Sequence, residues 1–130
     1  MNIIFVTGNE NKINEANVIL GEIGYNVEGL FIDGKRPNFV EPQSDSLMEV
    51  ALSKISQTKS MIKNSNPEET AILVEDSGFF INSIGNFPGV FSSFVYDKIG
   101  LTGVLKLLIN TKDRSAEYRS VSILDINGRI

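Results

Sequence analysis

The chain has 130 residues, 42% of them hydrophobic, which suffices for one compact domain with a buried core. It contains no cysteine and no histidine, so the sequence excludes disulfides, thiolate or imidazole metal sites and Ser-His-Asp catalysis. Acid–base chemistry therefore falls to carboxylates, lysines or tyrosines. A bound metal would be an oxygen-liganded ion such as Mg²⁺ or Mn²⁺.

The net charge is −4, and the 12 lysines and arginines are scattered rather than gathered into a basic stripe. This pattern predicts no nucleic-acid partner, and the apolar runs are too short to predict a membrane partner. The first residues lack the charged start and long apolar segment of a signal peptide. Together with the absence of cysteine, this predicts a cytoplasmic protein.

The first predicted strand is Asn2–Val6, a short β-branched and aromatic run. From Ile13 onward, apolar residues fall at helical spacing, and Gly24 is expected to end that helix. The polar residues 7–12 therefore lie between the end of a strand and the start of a helix. Free backbone N–H groups and the positive end of the helix dipole make such a loop a ready anion site.

The side chains of Thr7, Asn9 and Lys12 add a hydroxyl, an amide and an ammonium group to this loop. These groups, with the backbone donors, are what a polyphosphate requires. The loop lacks the Gly-Lys-Ser/Thr pattern of a Walker motif, which disfavours a P-loop NTPase. The alternative is structural: Gly8 and Asn9 form a tight turn, and Asn11 caps the helix.

A second strand is predicted at residues 27–32. Further along, Pro42 restricts Glu41 to an extended conformation. Ser46 and Glu49 then have the spacing of a capping box, which marks the start of a second helix.

The second helix is predicted to run to about Lys63. Its apolar stripe consists of Leu47, Val50, Ala51, Ile55, Thr58 and Ile62. Lys54 flanks this stripe. Spacing alone favours a surface lysine whose stem lies along the helix edge.

Two adjacent carboxylates, Glu75 and Asp76, follow an apolar run at residues 71–74. This run predicts a buried strand, and the polar residues 64–69 before it predict a break in regular structure. A buried ionised carboxylate is unfavourable by several kcal/mol unless it is paired or bound to a metal. The expected partner is therefore a cation. The alternative is that Glu-Asp-Ser-Gly begins a solvated turn where the strand leaves the sheet.

The pattern after this turn is less regular. Residues 79–81 predict another short strand, and the glycine, proline and aromatic residues at 85–94 predict a shaped loop without a regular element. An amphipathic helix is predicted at residues 101–109.

The last predicted strand is Ala116–Ile126, and Asn127-Gly128 after it is a strong hairpin signal. Only Arg129 and Ile130 follow, so a returning strand is missing. We expect this 130-residue domain to be incomplete at its C-terminus, marginally stable, prone to self-association and poorly active.

Five ordered motifs resemble those of the inosine/xanthosine triphosphate pyrophosphatase family. They are Thr7-Gly8-Asn9-x-x-Lys12, Glu41-Pro42-Gln43, Glu75-Asp76-Ser77-Gly78, Asn86 to Ser93 (Asn-Phe-Pro-Gly-Val-Phe-Ser-Ser) and Arg114-x-Ala116-x-Tyr118-x-Ser120-Val121. The resemblance implies a mixed, twisted β-sheet flanked by helices, in an α/β architecture related to the Maf-like proteins. It also implies a homodimer that uses Mg²⁺ to hydrolyse ITP, dITP and XTP to the monophosphate and pyrophosphate, which cleanses the nucleotide pool.

The resemblance also implies roles for single residues. The implied triphosphate ligands are Thr7, Asn9 and Lys12, with the backbone of Gly8, Glu10 and Asn11 and with Lys54. Glu41 and Asp76 would bind magnesium, and Asp76 would also accept the proton of the attacking water. Ser77 would contact the substrate, and Glu75 matches an acidic position beside the catalytic residue.

One part of the family's pattern is not in this sequence. It consists of an aromatic segment, a further lysine and a Ser-His-Arg motif, which hold the purine base in the family. Two functions therefore stay open. The first is a nucleoside triphosphate pyrophosphatase, and the second is a non-catalytic remnant that acts as a nucleotide- or metal-binding module or a dimeric interaction module. The Maf proteins are a third alternative, which the Phe87-Pro88-Gly89 region disfavours.

Overall fold

The computed structural model describes residues 1–62 and 70–130, which form one mixed β-sheet with helices on both faces. The predicted polar break at residues 64–69 and the predicted helix end at Lys63 lie outside the described residues. The elements are β1 (Asn2–Val6), α1 (Glu10–Gly21), β2 (Asn26–Gly29), α2 (Leu47–Met61), β3 (Thr70–Ile81), a 3₁₀ turn (Asn82–Ile84), β4 (Phe87–Gly89), α3 (Ser92–Leu107) and β5 (Ala116–Ile126).

β3 is the central strand of the sheet. β1 runs parallel to residues 70–74 of β3, and β2 runs parallel to β1. β4 pairs antiparallel with residues 79–81, and β5 pairs antiparallel with residues 71–81. β5 pairs with the same β3 residues as β1 and β4 do, and each β3 residue has only two edges. β1 and β4 must therefore share one edge of β3. β5 occupies the opposite edge.

The alternation of side chains along the strands builds two core clusters, one under α1 and one under α2. The cluster under α1 contains Ile3, Phe5, Ile13, Val27 and Ala71. The cluster under α2 contains Val6, Leu30, Ala51, Ile55, Ile72, Val74 and Ile123. The predicted mixed α/β sheet flanked by helices is thus confirmed.

The predicted break in β3 is wrong. Residues 70–81 form one continuous strand, and Glu75 and Asp76 lie in its middle rather than in a turn. β5 pairs with β3 from Ala71 to Ile81 and so supplies hydrogen-bond partners across the whole Glu-Asp-Ser-Gly segment. This long-range pairing overrides the local turn preference of those four residues.

The predicted start of α2 is confirmed in a modified form. Ser46 Oγ accepts the backbone N–H of Glu49 at 3.3 Å, as a capping box requires. The Glu49 carboxylate does not return to the Ser46 N–H. It instead accepts the hydroxyl of Ser44, and Ser44 Oγ accepts the Ser46 N–H at 3.0 Å.

The first helix and the second strand are both shorter than the sequence pattern predicts. α1 ends at Gly21 rather than at Gly24, which takes a positive φ of 92° in the turn that follows. Ile19 and Ile23 remain 68% exposed, so they do not belong to the buried face. β2 stops at Gly29, where its pairing with β1 ends.

The region predicted as an irregular loop, residues 85–94, contains β4 and the first turn of α3. α3 also begins well before the predicted residue 101. It is bent at Gly100, whose φ of 63° and ψ of −174° are not helical, so the predicted helix is only its second half. None of the helices within the described ranges is long and apolar enough to cross a membrane.

β5 ends in the tight turn that Asn127-Gly128 predicts. Both residues have positive φ, and Ile126 bridges to Arg129. Among the described residues, no strand pairs with the second edge of β5. The faces of β5 also carry exposed apolar side chains, including Tyr118 at 70% and Leu124 at 41% exposure.

We expect the 130-residue chain alone to self-associate through the open edge of β5, because a long unpaired strand edge invites pairing with another chain. Leu124→Lys should shift the chain toward the monomer, since a charge on an edge strand opposes such pairing. Size-exclusion chromatography with light scattering measures this. Val18→Lys on the exposed side of α1 is the matched control, and an equal shift in both variants would contradict a role for the edge.

Candidate functional site

The loop at residues 7–12 is folded back on itself at the start of α1. The N–H of Asn9 donates to Thr7 Oγ1 at 3.1 Å, and the N–H of Asn11 donates to Asn9 Oδ1 at 3.0 Å. Asn9 is therefore the N-cap of α1, and the structural alternative that placed Asn11 at the cap is wrong. The Thr7 hydroxyl proton and the Asn9 amide N–H₂ group remain able to donate to a ligand.

Three backbone amides of this loop are available to a ligand. The described part of the chain offers no hydrogen-bond acceptor to the N–H groups of Gly8, Glu10 and Lys12. All three lie at the positive end of the α1 dipole. This arrangement is suited to holding an anion.

Lys12 reaches from the first turn of α1 to β3. Its Nζ lies 2.9 Å from Glu75 Oε1, and both side chains are partly buried. The ion pair joins the loop to the central strand and brings two predicted site residues together. A phosphate that binds at the loop would compete with Glu75 for Lys12.

The part of β3 next to the loop has one edge free of sheet pairing. β1 ends opposite Val74, and β4 begins opposite Phe79. Residues 75–78 therefore face the gap between β1 and β4, where the chain leaves β1 and enters the loop. The backbone of Asp76 and Ser77 lies at this gap, but the Ser77 side chain lines a different cavity from the loop, together with Tyr118.

Lys54, on α2, lies between the two predicted metal carboxylates. Its Nζ is 3.4 Å from Glu41 Oε1 and 3.7 Å from Asp76 Oδ2. The lysine side chain is only 20% exposed, so the prediction of a surface lysine along the helix edge is wrong. The cation expected beside Asp76 is, in this structure, the Lys54 ammonium group.

The pKa of Asp76 is raised above its ordinary value of 3.8, mainly because burial disfavours the charged form. Lys54 and the Ser77 N–H, which donates to Asp76 Oδ1 at 3.0 Å, oppose this rise, and the neighbouring Glu41 carboxylate adds to it. A raised pKa makes Asp76 a better proton acceptor than an exposed aspartate.

Ser77 points to the other face of β3 from Asp76, because successive strand residues alternate. Its Oγ lies 3.1 Å from the hydroxyl oxygen of Tyr118 on β5. No sequence pattern indicates this pair, since the two residues meet only through the pairing of β3 with β5.

A divalent ion fits the donor set between Glu41 and Asp76, where it would take the place of the Lys54 ammonium group. Both donors are carboxylates, the ligands that Mg²⁺ prefers. The described residues contain no group of three acidic side chains that could hold a metal. Water and phosphate oxygens would therefore complete the coordination, as is usual for Mg²⁺.

A cavity of about 150 Å³ opens between the loop and Lys54. Its lining includes Thr7, Gly8, Phe39, Lys54 and Arg36. Arg36 was not predicted as a site residue, because it lies in a polar turn with no periodic pattern. Its place in the lining depends on how the chain folds after β2.

The Ham1 family model matches residues 3–129, nearly the whole chain. The chain belongs to the Ham1 family. Among its relatives, the dITP/XTP pyrophosphatase of Methanopyrus kandleri is 39% identical over 121 residues, which cover 93% of this chain and 58% of the relative. The dITP/XTP pyrophosphatase of Pyrococcus horikoshii is 38% identical over 129 residues, covering 99% of this chain and 63% of the relative. The chain thus spans about three fifths of the length of these Ham1 relatives.

Solved Ham1 structures have the same fold. The HAM1 protein of Coxiella burnetii aligns with a TM-score of 0.76 at 22% identity, covering 98% of this chain and 64% of that one. The Ham1 protein of Staphylococcus aureus aligns with a TM-score of 0.73 at 24% identity, covering 96% of this chain and 63% of that one. The resemblance predicted from the five motifs is confirmed at the level of family and fold.

Proposed function

We propose that this protein hydrolyses nucleoside triphosphates to the monophosphate and pyrophosphate. The observation that carries the proposal is a convergence at one end of β1. There the loop at residues 7–12, the anion loop, offers free amides beside the cluster of Lys54, Glu41 and Asp76. Phosphoryl transfer depends mainly on positioning and charge neutralisation, and these groups provide both without histidine. The names of the relatives support the same reaction.

We assign the roles as follows. The loop amides, Lys12 and Lys54 bind the triphosphate, and Asp76 accepts the proton of the attacking water. Ser77 contacts the substrate. Glu41 and Asp76 would hold Mg²⁺ or Mn²⁺, and such an ion, when bound, neutralises the charge of the phosphate oxygens.

We further propose that the substrates are the non-standard purine nucleotides ITP, dITP and XTP. This assignment rests on the family and on the relatives' names, because the described residues include no base-binding histidine or tryptophan. We also propose a homodimer in the cytoplasm, with no nucleic-acid or membrane partner. The net charge of −4 supports the absence of a nucleic-acid partner.

The second candidate is a non-catalytic module that binds a nucleotide or a metal, or that acts as a dimeric interaction protein. The observation that favours it is that the Lys54 ammonium group lies between Glu41 and Asp76, so these carboxylates are compensated by the chain's own residues. The two candidates are separated by measuring pyrophosphate release from ITP and, on the same sample, ITP affinity by isothermal titration. Binding without turnover supports the module. Turnover with preference for ITP over ATP supports the enzyme. A protein that neither binds nor hydrolyses ITP would contradict both the enzyme and the nucleotide-binding module.

Lys12→Ala is expected to weaken triphosphate binding by about 1.5 kcal/mol, the lower end for a charge-assisted hydrogen bond. The effect is at the lower end because Lys12 must first leave Glu75. Isothermal titration with a non-hydrolysable triphosphate analogue measures the change.

Glu75→Gln is the matched control for this prediction, and it should tighten binding because Lys12 is then free. Unchanged affinity in Lys12→Ala would reduce the loop to a helix cap. Weaker binding in Glu75→Gln would instead assign Glu75 a direct role in holding the ligand.

A further inference from the structure

Arg36 is held against the anion loop by three contacts. Its Nη1 donates to the backbone carbonyl of Thr7 at 2.6 Å, and its Nη2 pairs with the carboxylate of Glu10. Its guanidinium lies 4.9 Å from the centre of the Phe31 ring. The side chain is 29% exposed, so the contacts are partly shielded from water.

These contacts require an arginine. A guanidinium group is planar, so it can stack on Phe31 while two nitrogens of its fork reach two different acceptors. A lysine ammonium could replace one of these contacts but not the set. Gly29 leaves room for the arrangement, since a Cβ there would lie 3.4 Å from Arg36 Nη1 and 3.2 Å from the Phe31 ring.

The contact with Thr7 determines where the next amide points. In a trans peptide the C=O and the N–H of one unit point in opposite directions. Because the Thr7 carbonyl points to Arg36, the N–H of Gly8 must point away from it. That N–H is one of the loop amides to which the described residues offer no acceptor.

The contact with Glu10 changes the charge of the loop. Glu10 is the acidic residue in the first turn of α1, and its carboxylate would repel a bound anion. Pairing with Arg36 neutralises that charge. Arg36 therefore acts on both the geometry and the electrostatics of the loop.

We propose that Arg36 is a positioning residue of the anion site: it orients the Thr7–Gly8 peptide so that the Gly8 N–H faces a bound phosphate, and it neutralises Glu10. The proposal rests on the proposed function, because it assumes that the loop binds phosphate. It adds a second residue from the segment between β2 and α2, which already contributes Glu41 to the site.

The test uses inorganic tripolyphosphate as the probe and isothermal titration as the measurement. Arg36→Ala and Arg36→Lys should each bind it roughly tenfold more weakly, the effect of losing one hydrogen bond from a charged donor. Lys35→Ala, an exposed neighbour with the same charge, is the matched control and should bind like the wild type. Thermal melting establishes that each variant is folded.

A double variant separates the two actions of Arg36. Glu10→Gln alone should tighten binding, because it removes a negative charge from the loop, and adding it to Arg36→Ala should restore only the electrostatic part of the loss. The amide resonance of Gly8 should move in Arg36→Ala and not in Lys35→Ala, whether or not tripolyphosphate is present. A purely structural effect elsewhere in the chain would not move this resonance selectively.

The outcomes distinguish the two proposals. Wild-type affinity in Arg36→Ala, or a Gly8 resonance that does not move, would overturn the role of Arg36 alone. A wild-type protein that neither binds tripolyphosphate nor hydrolyses ITP would overturn the proposed function. In that case a shifted Gly8 resonance would still show that Arg36 orients the loop peptide, but the anion site itself would be refuted.

Discussion

Replacing Asp76 by Asn is expected to reduce ITP hydrolysis by roughly 10²–10⁴-fold, the usual contribution of a positioned general base. Asn preserves the size of the side chain. It cannot accept the proton of the attacking water, and it does not attract a cation to the site shared with Glu41. The measurement is the rate of pyrophosphate release at saturating ITP, in a form of the protein that turns over ITP.

Asp97→Asn is the matched control, because Asp97 is an exposed aspartate on α3. It should leave the rate unchanged. Wild-type turnover by Asp76→Asn would remove Asp76 from the proposed mechanism. A loss of equal size in both variants would instead indicate a general effect of removing a negative charge.

The raised pKa of Asp76 has opposite consequences for activity and stability. Activity needs the ionised form, so the acid limb of the kcat/KM profile should lie above the ordinary aspartate pKa of 3.8. Folding favours the protonated form, so the stability contributed by this group is present below that value and lost as pH rises through the folded-state pKa. Asp76→Asn should therefore melt no lower than the wild type at neutral pH.

Replacing Asp125 by Ala is expected to destabilise the protein by about 3 kcal/mol, the lower end for removing one partner of a buried ion pair. The Asp125 side chain is 3% exposed and lies 2.5 Å from Lys59 Nζ on α2. Its other oxygen accepts the N–H of Gly128 at 3.0 Å. The loss should be at the lower end because Lys59 is half-exposed and can return to water. Urea unfolding measures the change.

Asp125→Asn separates the two contacts, because an amide oxygen can still accept the Gly128 N–H but cannot neutralise Lys59. Its expected loss is smaller than that of Asp125→Ala. Asp97→Ala on the surface should change the free energy of unfolding by less than about 0.5 kcal/mol. A change that small in Asp125→Ala would contradict the view that this carboxylate secures the last strand and its turn to α2.

Several local features could be predicted because they depend on neighbours in sequence. The bounds of β1 and β5, the cap at Ser46 and the turn at Asn127-Gly128 all match. Periodicity also predicted the buried stripe of α2, including Leu47, Val50, Ala51, Ile55 and Thr58. In each case the signal lies within a few residues, where side-chain spacing and φ preferences act directly.

Two of the errors occurred where pairing with another strand overrode a local preference. Glu-Asp-Ser-Gly is favourable in a turn, but β5 pairs with β3 along its length and keeps the segment extended. Likewise, the pairing of β4 with β3 orders part of a segment rich in glycine and proline. A sequence pattern contains no record of the pairing between β3 and β5, because these two strands lie far apart in the chain.

The sequence by itself determined the family, the fold class and the residue types of the candidate site. Only the tertiary structure decided that Lys54 lies between Glu41 and Asp76, that Lys12 pairs with Glu75 and that Arg36 holds the Thr7 carbonyl. These contacts join residues from separate elements, and their charges compensate one another only after the sheet has assembled. The physical reason is that electrostatic pairing acts over a few ångströms in space, whereas sequence motifs report only spacing along the chain.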